Sequence, residues 1–335
     1  MVVVRRCLSL LAFGTFMAIQ PAMAEPPVLS LPLECIPQKT CFIQNYVDVD
    51  PTSGVGDYRC DKSSYDGHKG VDFRILSVAV MRRGVGVLAA AHGKVKAVRD
   101  GMQDRLYKKN QEADIKGREC GNGLVLSHGH GWETQYCHML KGSLTVKKGD
   151  QVLRGQKLGL VGLSGKTAFP HVHMTVRYKR KTIDPFSGAA PGKSLCGATA
   201  NHNSLWDKKI LDQFPYVSGQ VLHMGIAQEA VKKQDLMLKG GVSAPSSINS
   251  RALVFYGQAI NLQKGDQLRI SLIGPKGAIA STISDPMNRH KASYLLFAGK
   301  KRTTRTWPRG AYKGSFSLLR GGKQIWKETR ELMLQ

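Results

Sequence analysis

The feature that most constrains this chain is how its apolar residues are spaced. They come in short bursts cut by glycine and do not follow a helical period. In Leu144–Gly162, LTVKKGDQVLRGQKLGLVG, the bursts are broken at Gly155, Gly159 and Gly162. That is strand–turn–strand chemistry, because a surface helix of this length would repeat its apolar face every 3.6 residues. Val85–Val98 reads as two strands with a turn, and Leu124–Ser127, Thr134–His138 and Val172–Tyr178 as further short strands. The stretch Gly101–Gly121 is polar, charged and without apolar period, and reads as a long surface loop. In the second half, short strands are expected at Leu236–Leu238, Leu253–Tyr256, Gln267–Ile273, Ser293–Phe297, Gly314–Leu319 and Gln324–Thr329. Strands at that spacing favour a β-sandwich, with Trp206, Trp307 and Trp326 in its core. The fold class is therefore mainly β.

The N-terminus reads as a secretory signal peptide. Arg5 and Arg6 precede an apolar run from Cys7 to Ile19, and Ala22-Met23-Ala24 offers a small-x-small exit, with cleavage expected after Ala24. No later segment looks transmembrane. Six cysteines then remain, Cys35, Cys41, Cys60, Cys120, Cys137 and Cys196. An even number in an exported chain points to disulfides in an oxidising compartment. Sequence alone selects only Cys35–Cys41, across a short loop. No C-x-x-C spacing occurs, so cysteine is a poor candidate for a metal ligand. The formal net charge is +25, spread over both halves. In an exported protein such a field points to wall polymers and anionic lipid headgroups as nearer partners than nucleic acid. About 310 mature residues leave room for two domains of ~150 residues each. The expected division is a signal peptide 1–24, an extended lead-in with cysteines 25–60, a first β domain 61–190, a linker 191–203 and a smaller sandwich-like domain 204–335.

The chemistry lies in the first half, in three pieces. His171-Val172-His173 sits in a β-type run, whose period of two points both imidazoles to one face. In His68-Lys69-Gly70-Val71-Asp72, an ideal strand would separate the two end residues by about 13 Å. Both reach one metal only if the backbone bends, and Gly70 is the expected bend, free of a Cβ penalty at unusual φ. The third piece is Gln135-Tyr136-Cys137-His138, where strand alternation would turn Cys137 away from His138, toward the core or a disulfide. Together these supply four histidines and one carboxylate. A catalytic zinc takes three protein ligands and keeps an open position for water. His92, His128, His130, His202, His223 and His290 are set aside as non-ligands, His128 and His130 in an exposed glycine-rich turn.

The order H-x-x-x-D, Y-x-H, H-x-H resembles the LytM/lysostaphin-type zinc metallopeptidase family. So do GHKGVDF, GVLAAAHGKV, GNGLVLSHG, TQYCHM, VKKGDQVLRGQKLG and PHVHMTVR, in that order, from about Asp66 to Pro185. The resemblance implies an antiparallel β domain with an open groove. It implies His68, Asp72 and His173 as zinc ligands, and His138 and His171 as catalytic residues acting on the water and the tetrahedral intermediate. It implies hydrolysis of peptide cross-links in peptidoglycan, by a periplasmic or secreted enzyme. Val172 and Met174 replace commoner leucine and phenylalanine, and Thr175 stands where many members have glutamate; these read as groove or packing changes. The alternative is a catalytically silent wall-binding or hydrolase-activating envelope protein, as in relatives that have lost zinc ligands. All five key residues are present here.

Overall fold

The computed structural model describes Val2, residues 25–108, Asn110, and residues 112–193, 203–245 and 247–335. The expected signal peptide (Val2 apart) with its exit at Ala24, Cys196, His202 and most of the 191–203 segment lie outside the described residues.

The chain builds β1 (Cys41–Asn45), β2 (Val71–Ile75), α1 (Val78–Arg82), β3 (Gly86–Leu88), β4 (Gly93–Arg99), α2 (Glu112–Ile115), β5 (Asn122–Ser127), β6 (Trp132–Met139), β7 (Gln151–Val152), β8 (Lys157–Leu160), β9 (His171–Tyr178) and β10 (Lys181–Ile183). Eight of these form one sheet in the order β1-β2-β9-β6-β5-β4-β7, with β10 on β9, and every pairing is antiparallel. The expected strands in this half are present, but the two in Val85–Val98 do not pair with each other. β3 pairs with β8, and β4 with β5 and β7. The order brings β2, β9 and β6 side by side, and so unites the three histidine-bearing pieces although they are far apart in sequence.

The core under this sheet takes Phe73, Leu126, Tyr136 and Val172 from the strands, and Leu29 and Leu33 from the lead-in. It also takes Leu205, Trp206 and Phe214. Trp206 thus does not belong to the second core, as the tryptophan pattern suggested. Its ring meets Phe73 and Phe186, at centroid distances of 5.8 and 5.6 Å. The cause is a bridge from Leu29 to Trp206, which binds the lead-in and the segment after residue 203 to the same core.

After α3 (Lys208–Gln213), the chain forms β11 (Gln220–Ala227), α4 (Lys233–Lys239), β12 (Ala252–Leu262), β13 (Gln267–Gly274), β14 (Gly277–Ile283), β15 (Lys291–Lys301), β16 (Gly310–Arg320) and β17 (Lys323–Leu334). A three-stranded sheet β11-β12-β15 and a four-stranded sheet β14-β13-β16-β17 share one core that includes Phe255, Leu268, Ile270, Trp307 and Phe316. Trp326 packs against it. The expected strand at Leu236–Leu238 is instead the helix α4. KQDLMLK is made mostly of straight-chain residues that lose little rotamer freedom in a helix. An Asp235–Lys239 pair spans one turn, and Gly240 ends the helix in the left-handed conformation.

The two halves meet over Phe42, Leu222 and Ile260. His223 is buried beside this contact, with Nδ1 3.0 Å from Gln258 Oε1. Burial, reinforced by the nearby Arg74 charge and opposed by the Gln258 bond, pushes its pKa down to about 4. The folded state therefore holds a neutral ring, while the unfolded chain takes up a proton near pH 6.5. The resulting stability is fully present above pH 6.5 and is lost as the pH falls toward 4, by about 3 kcal/mol at one pKa unit per ~1.4 kcal/mol. His223→Gln is expected to flatten this part of the acid dependence of the denaturation midpoint. A variant whose acid profile matches the parent's would remove His223 as its source.

Candidate metal centre and groove

Asp72 lies on β2 directly opposite His173 on β9. His68 precedes β2 and is carried into the sheet by a turn, in which its N–H donates to Tyr65 O and Gly67 adopts φ 72°. The backbone bends at Gly70, as expected, but without a positive φ there. What requires glycine is space: a Cβ there would stand 2.6 Å from His173 Nε2 and 2.7 Å from Met174 O.

Three donor atoms converge. His68 Nε2 is 3.1 Å from Asp72 Oδ1 and 3.1 Å from His173 Nδ1, and His173 Nδ1 is 2.8 Å from the same carboxylate oxygen. Each residue is anchored through its other polar atom. His68 Nδ1 is 2.7 Å from Tyr46 O, Asp72 Oδ2 accepts from Asn45 Nδ2 at 2.7 Å, and His173 Nε2 is 3.0 Å from Thr175 Oγ1. Since a carbonyl can only accept, His68 carries its proton on Nδ1 and offers the lone pair of Nε2. Burial alone would raise the Asp72 carboxyl, but the surrounding imidazoles hold it well below the usual carboxylate range. Two imidazoles and a carboxylate with fixed outer partners form a donor set that suits zinc.

His171 and His138 flank this cluster. As the strand period requires, His171 shares the face of His173; its Nε2 comes within 3.3 Å of Asp72 Oδ1. Its Nδ1 is 2.9 Å from Phe169 O and 3.1 Å from Thr167 Oγ1. His138 Nδ1 is 2.8 Å from Ser164 O, and its ring lies 4.7 Å from that of His171. Burial, with the neighbouring His171 and His173 rings, pushes His138 well below the ordinary imidazole value. Both rings thus have Nδ1 held by a backbone carbonyl, and Nε2 of His171 faces Asp72.

Strand alternation does not separate Cys137 from His138. Asn122 pairs with Met139 but Leu124 with Tyr136, so the register shifts between β5 and β6. At this irregularity His138 takes φ 63°, and both side chains line the groove. Cys137 is bonded to Cys120, and the His138 N–H donates to Cys120 O at 2.8 Å. The loop 101–121 is thereby tied to the site; Tyr107 and Glu119 of it line the groove, whose volume is about 600 Å³. Cys35–Cys41 is bonded as expected, and Cys60 is also disulfide-bonded.

Sequence reasoning missed Asn45; it placed Thr175 at the groove, as found, but not its bond to His173. The position of Thr175 two residues after His173 on the same strand face was the available signal. His128 proves half-buried, not exposed, because its ring bridges His92 O and Thr134 Oγ1. His92 and His130 are exposed.

An antiparallel sheet that presents a His–Asp–His cluster and two further imidazoles to an open groove has the make-up of a metallohydrolase centre. Residues 66–185 match the model of Peptidase family M23, and M23 peptidases are zinc metallopeptidases. The chain is 40% identical over 76 residues to peptidoglycan DD-endopeptidase ShyB of Vibrio cholerae, covering 22% of this chain and 17% of that protein. It is 32% identical over 91 residues to peptidoglycan DD-endopeptidase ShyA of the same organism, covering 25% and 21%. The chain thus spans about a fifth of the length of these curated relatives. A crystal structure of a zinc-containing peptidase from Vibrio cholerae aligns with 25% identity and a TM-score of 0.27, over 42% of this chain and 38% of that one. No helix among the described residues is long and apolar enough to cross a membrane.

Proposed function

We propose that this protein is a zinc-dependent endopeptidase that hydrolyses peptide cross-links of bacterial peptidoglycan, acting in the periplasm or as a secreted enzyme. His68, Asp72 and His173 hold the metal, and His138 and His171 are the catalytic residues. The observation that carries the reading is the arrangement of five side chains: three donor atoms within 4.8 Å of one another, flanked by two imidazoles each tethered at Nδ1 to a backbone carbonyl. The disulfides fit an oxidising compartment, and the peptidoglycan endopeptidases among the relatives support the substrate.

Zinc in this site supplies Lewis acidity toward a carbonyl oxygen and lowers the pKa of water to ~7. The chain's own groups do the rest. Asn45 and Thr175 fix the ligand orientations. Tethering at Nδ1 leaves Nε2 of His138 and of His171 as the atoms that exchange protons. One of them accepts the proton of the attacking water, and an imidazole in its protonated form donates to the developing oxyanion and then to the leaving amine. Wall polymers also match the charge of +25, and anionic envelope polymers would be drawn by the same field.

Digestion of cross-linked muropeptides by the purified zinc-loaded chain, followed by mass analysis, is expected to release uncross-linked products that gain one water per bond cut. Intact cross-links after exhaustive digestion, with wall binding retained, would support the silent wall-binding alternative instead.

A further inference from the structure

β1 contains a bulge next to the candidate metal centre. Ile43 pairs with Phe73 and Asn45 with Asp72, which leaves Gln44 as the extra residue. A bulge bends its strand and re-aims the side chains around it. Here it gives two neighbours different tasks. Asn45 donates to Asp72 Oδ2. Gln44, buried, turns to the second half of the chain, where its Nε2 donates to Asn261 Oδ1 at 2.9 Å and to Ala292 O at 3.0 Å. Its Oε1 accepts from Arg74 Nη1. Arginine has no acceptor, so that bond fixes which end of the Gln44 amide faces which partner, and both ends of the amide are engaged.

Asn261, near the end of β12, completes the link. Its Nδ2 donates to Ile43 O at 3.1 Å while its Oδ1 receives Gln44. One side chain therefore grips both the backbone just before the bulge and the bulge residue itself. Asn261 is buried and takes φ 55°, a left-handed conformation that asparagine tolerates better than most residues. The contact is sealed by Phe42, Leu222 and Ile260, where unmade polar bonds would have no solvent to replace them. Arg74 extends the link to the other side of the site. Its guanidinium stands 4.6 Å from the Phe169 ring centre, and that ring lies 4.5 Å from His171.

We infer that Asn261 is a positioning residue for the metal centre: with Gln44 it sets the β1 bulge and, through Asn45, the orientation of the Asp72 carboxylate. The inference rests on the reading of Asp72 as a metal ligand. It makes the C-terminal sheets a structural part of the peptidase site and not only an appended module.

The test is zinc affinity of the full-length chain by chelator competition, at temperatures where each variant is shown to be folded. Asn261→Gly keeps the left-handed backbone and removes the grip; it is expected to raise the zinc Kd about 10-fold, the lower end of what outer partners of metal ligands contribute. Trp307→Phe is the control. It loses a bond from Nε1 to Ser250 O at the opposite end of β12 and should lower Tm without changing the zinc Kd. In an Asn45→Ala background, Asn261→Gly should have little further effect, because its influence passes through Asn45. A parental zinc Kd in Asn261→Gly, an equal loss in Trp307→Phe, or full additivity with Asn45→Ala would each overturn the inference. If Asp72→Ala binds zinc as tightly as the parent, the metal reading itself falls and takes this inference with it.

Discussion

Asp72→Ala is expected to strip zinc from the purified chain, and peptidoglycan cleavage with it. Asp72 Oδ1 is the point on which the cluster converges, 3.1 Å from His68 Nε2 and 2.8 Å from His173 Nδ1. Removing it leaves two imidazoles, and an open catalytic site needs three protein ligands. The loss should exceed the ~10–100-fold that follows from losing an outer partner of a ligand. Thr175→Val supplies that lesser case, since it removes only the hydroxyl beside His173 Nε2 and should weaken zinc by about 10-fold. Zinc content after dialysis against a chelator, with folding followed by circular dichroism, orders the three proteins as parent, Thr175→Val and Asp72→Ala. Full occupancy in Asp72→Ala would take the carboxylate out of the ligand set. A Thr175→Val protein as poor in zinc as Asp72→Ala would show that the hydroxyl does more than orient a ring.

Most of what positions this site was legible, because it depends on periodicity. The period of two in His171-Val172-His173 places both rings on one face, and β9 delivers that arrangement. What escaped were departures from periodicity and partners from distant strands. At Cys137-His138 the alternation rule fails because a register shift and a positive φ at His138 bring both side chains to the groove. Such local geometry depends on register with β5, which the sequence of β6 does not contain. Gly70 bends the chain as expected but at an ordinary φ; what requires glycine there is the missing Cβ, which makes room for the His173 ring, a residue far along the chain. The helix α4 was missed because Leu236–Leu238 is too short an apolar run to show a period, whereas the helical signals lie at its flanks, in Asp235, Lys239 and Gly240. Asn45 and Asn261 carry no motif at all. Their importance arises only when β1 is laid between β2 and the second half of the chain.

His171→Ala and His173→Ala, two residues apart on one strand, are expected to fail in different ways. His173 Nδ1 approaches both other donor atoms, at 2.8 and 3.1 Å. His171 Nε2 approaches only Asp72, at 3.3 Å, and its Nδ1 is held by the loop before β9 through Phe169 O and Thr167 Oγ1. His173→Ala should therefore lose zinc and turnover together. His171→Ala should keep its zinc and lose turnover by ~10²–10⁴, the worth of one positioned proton-transfer group. His138→Ala should behave likewise, because its ring stands 4.7 Å from that of His171 and is tethered in the same manner, to Ser164 O. If the two rings serve one proton relay, the double variant His138→Ala/His171→Ala should be little slower than either single one, since groups that act as a unit are strongly non-additive. Zinc content and cleavage rate measured on all four variants separate the roles. Zinc lost from His171→Ala and kept by His173→Ala would reverse the two assignments. Multiplicative losses in the double variant would mean that the rings act at separate steps, one on the water and the other on the leaving amine.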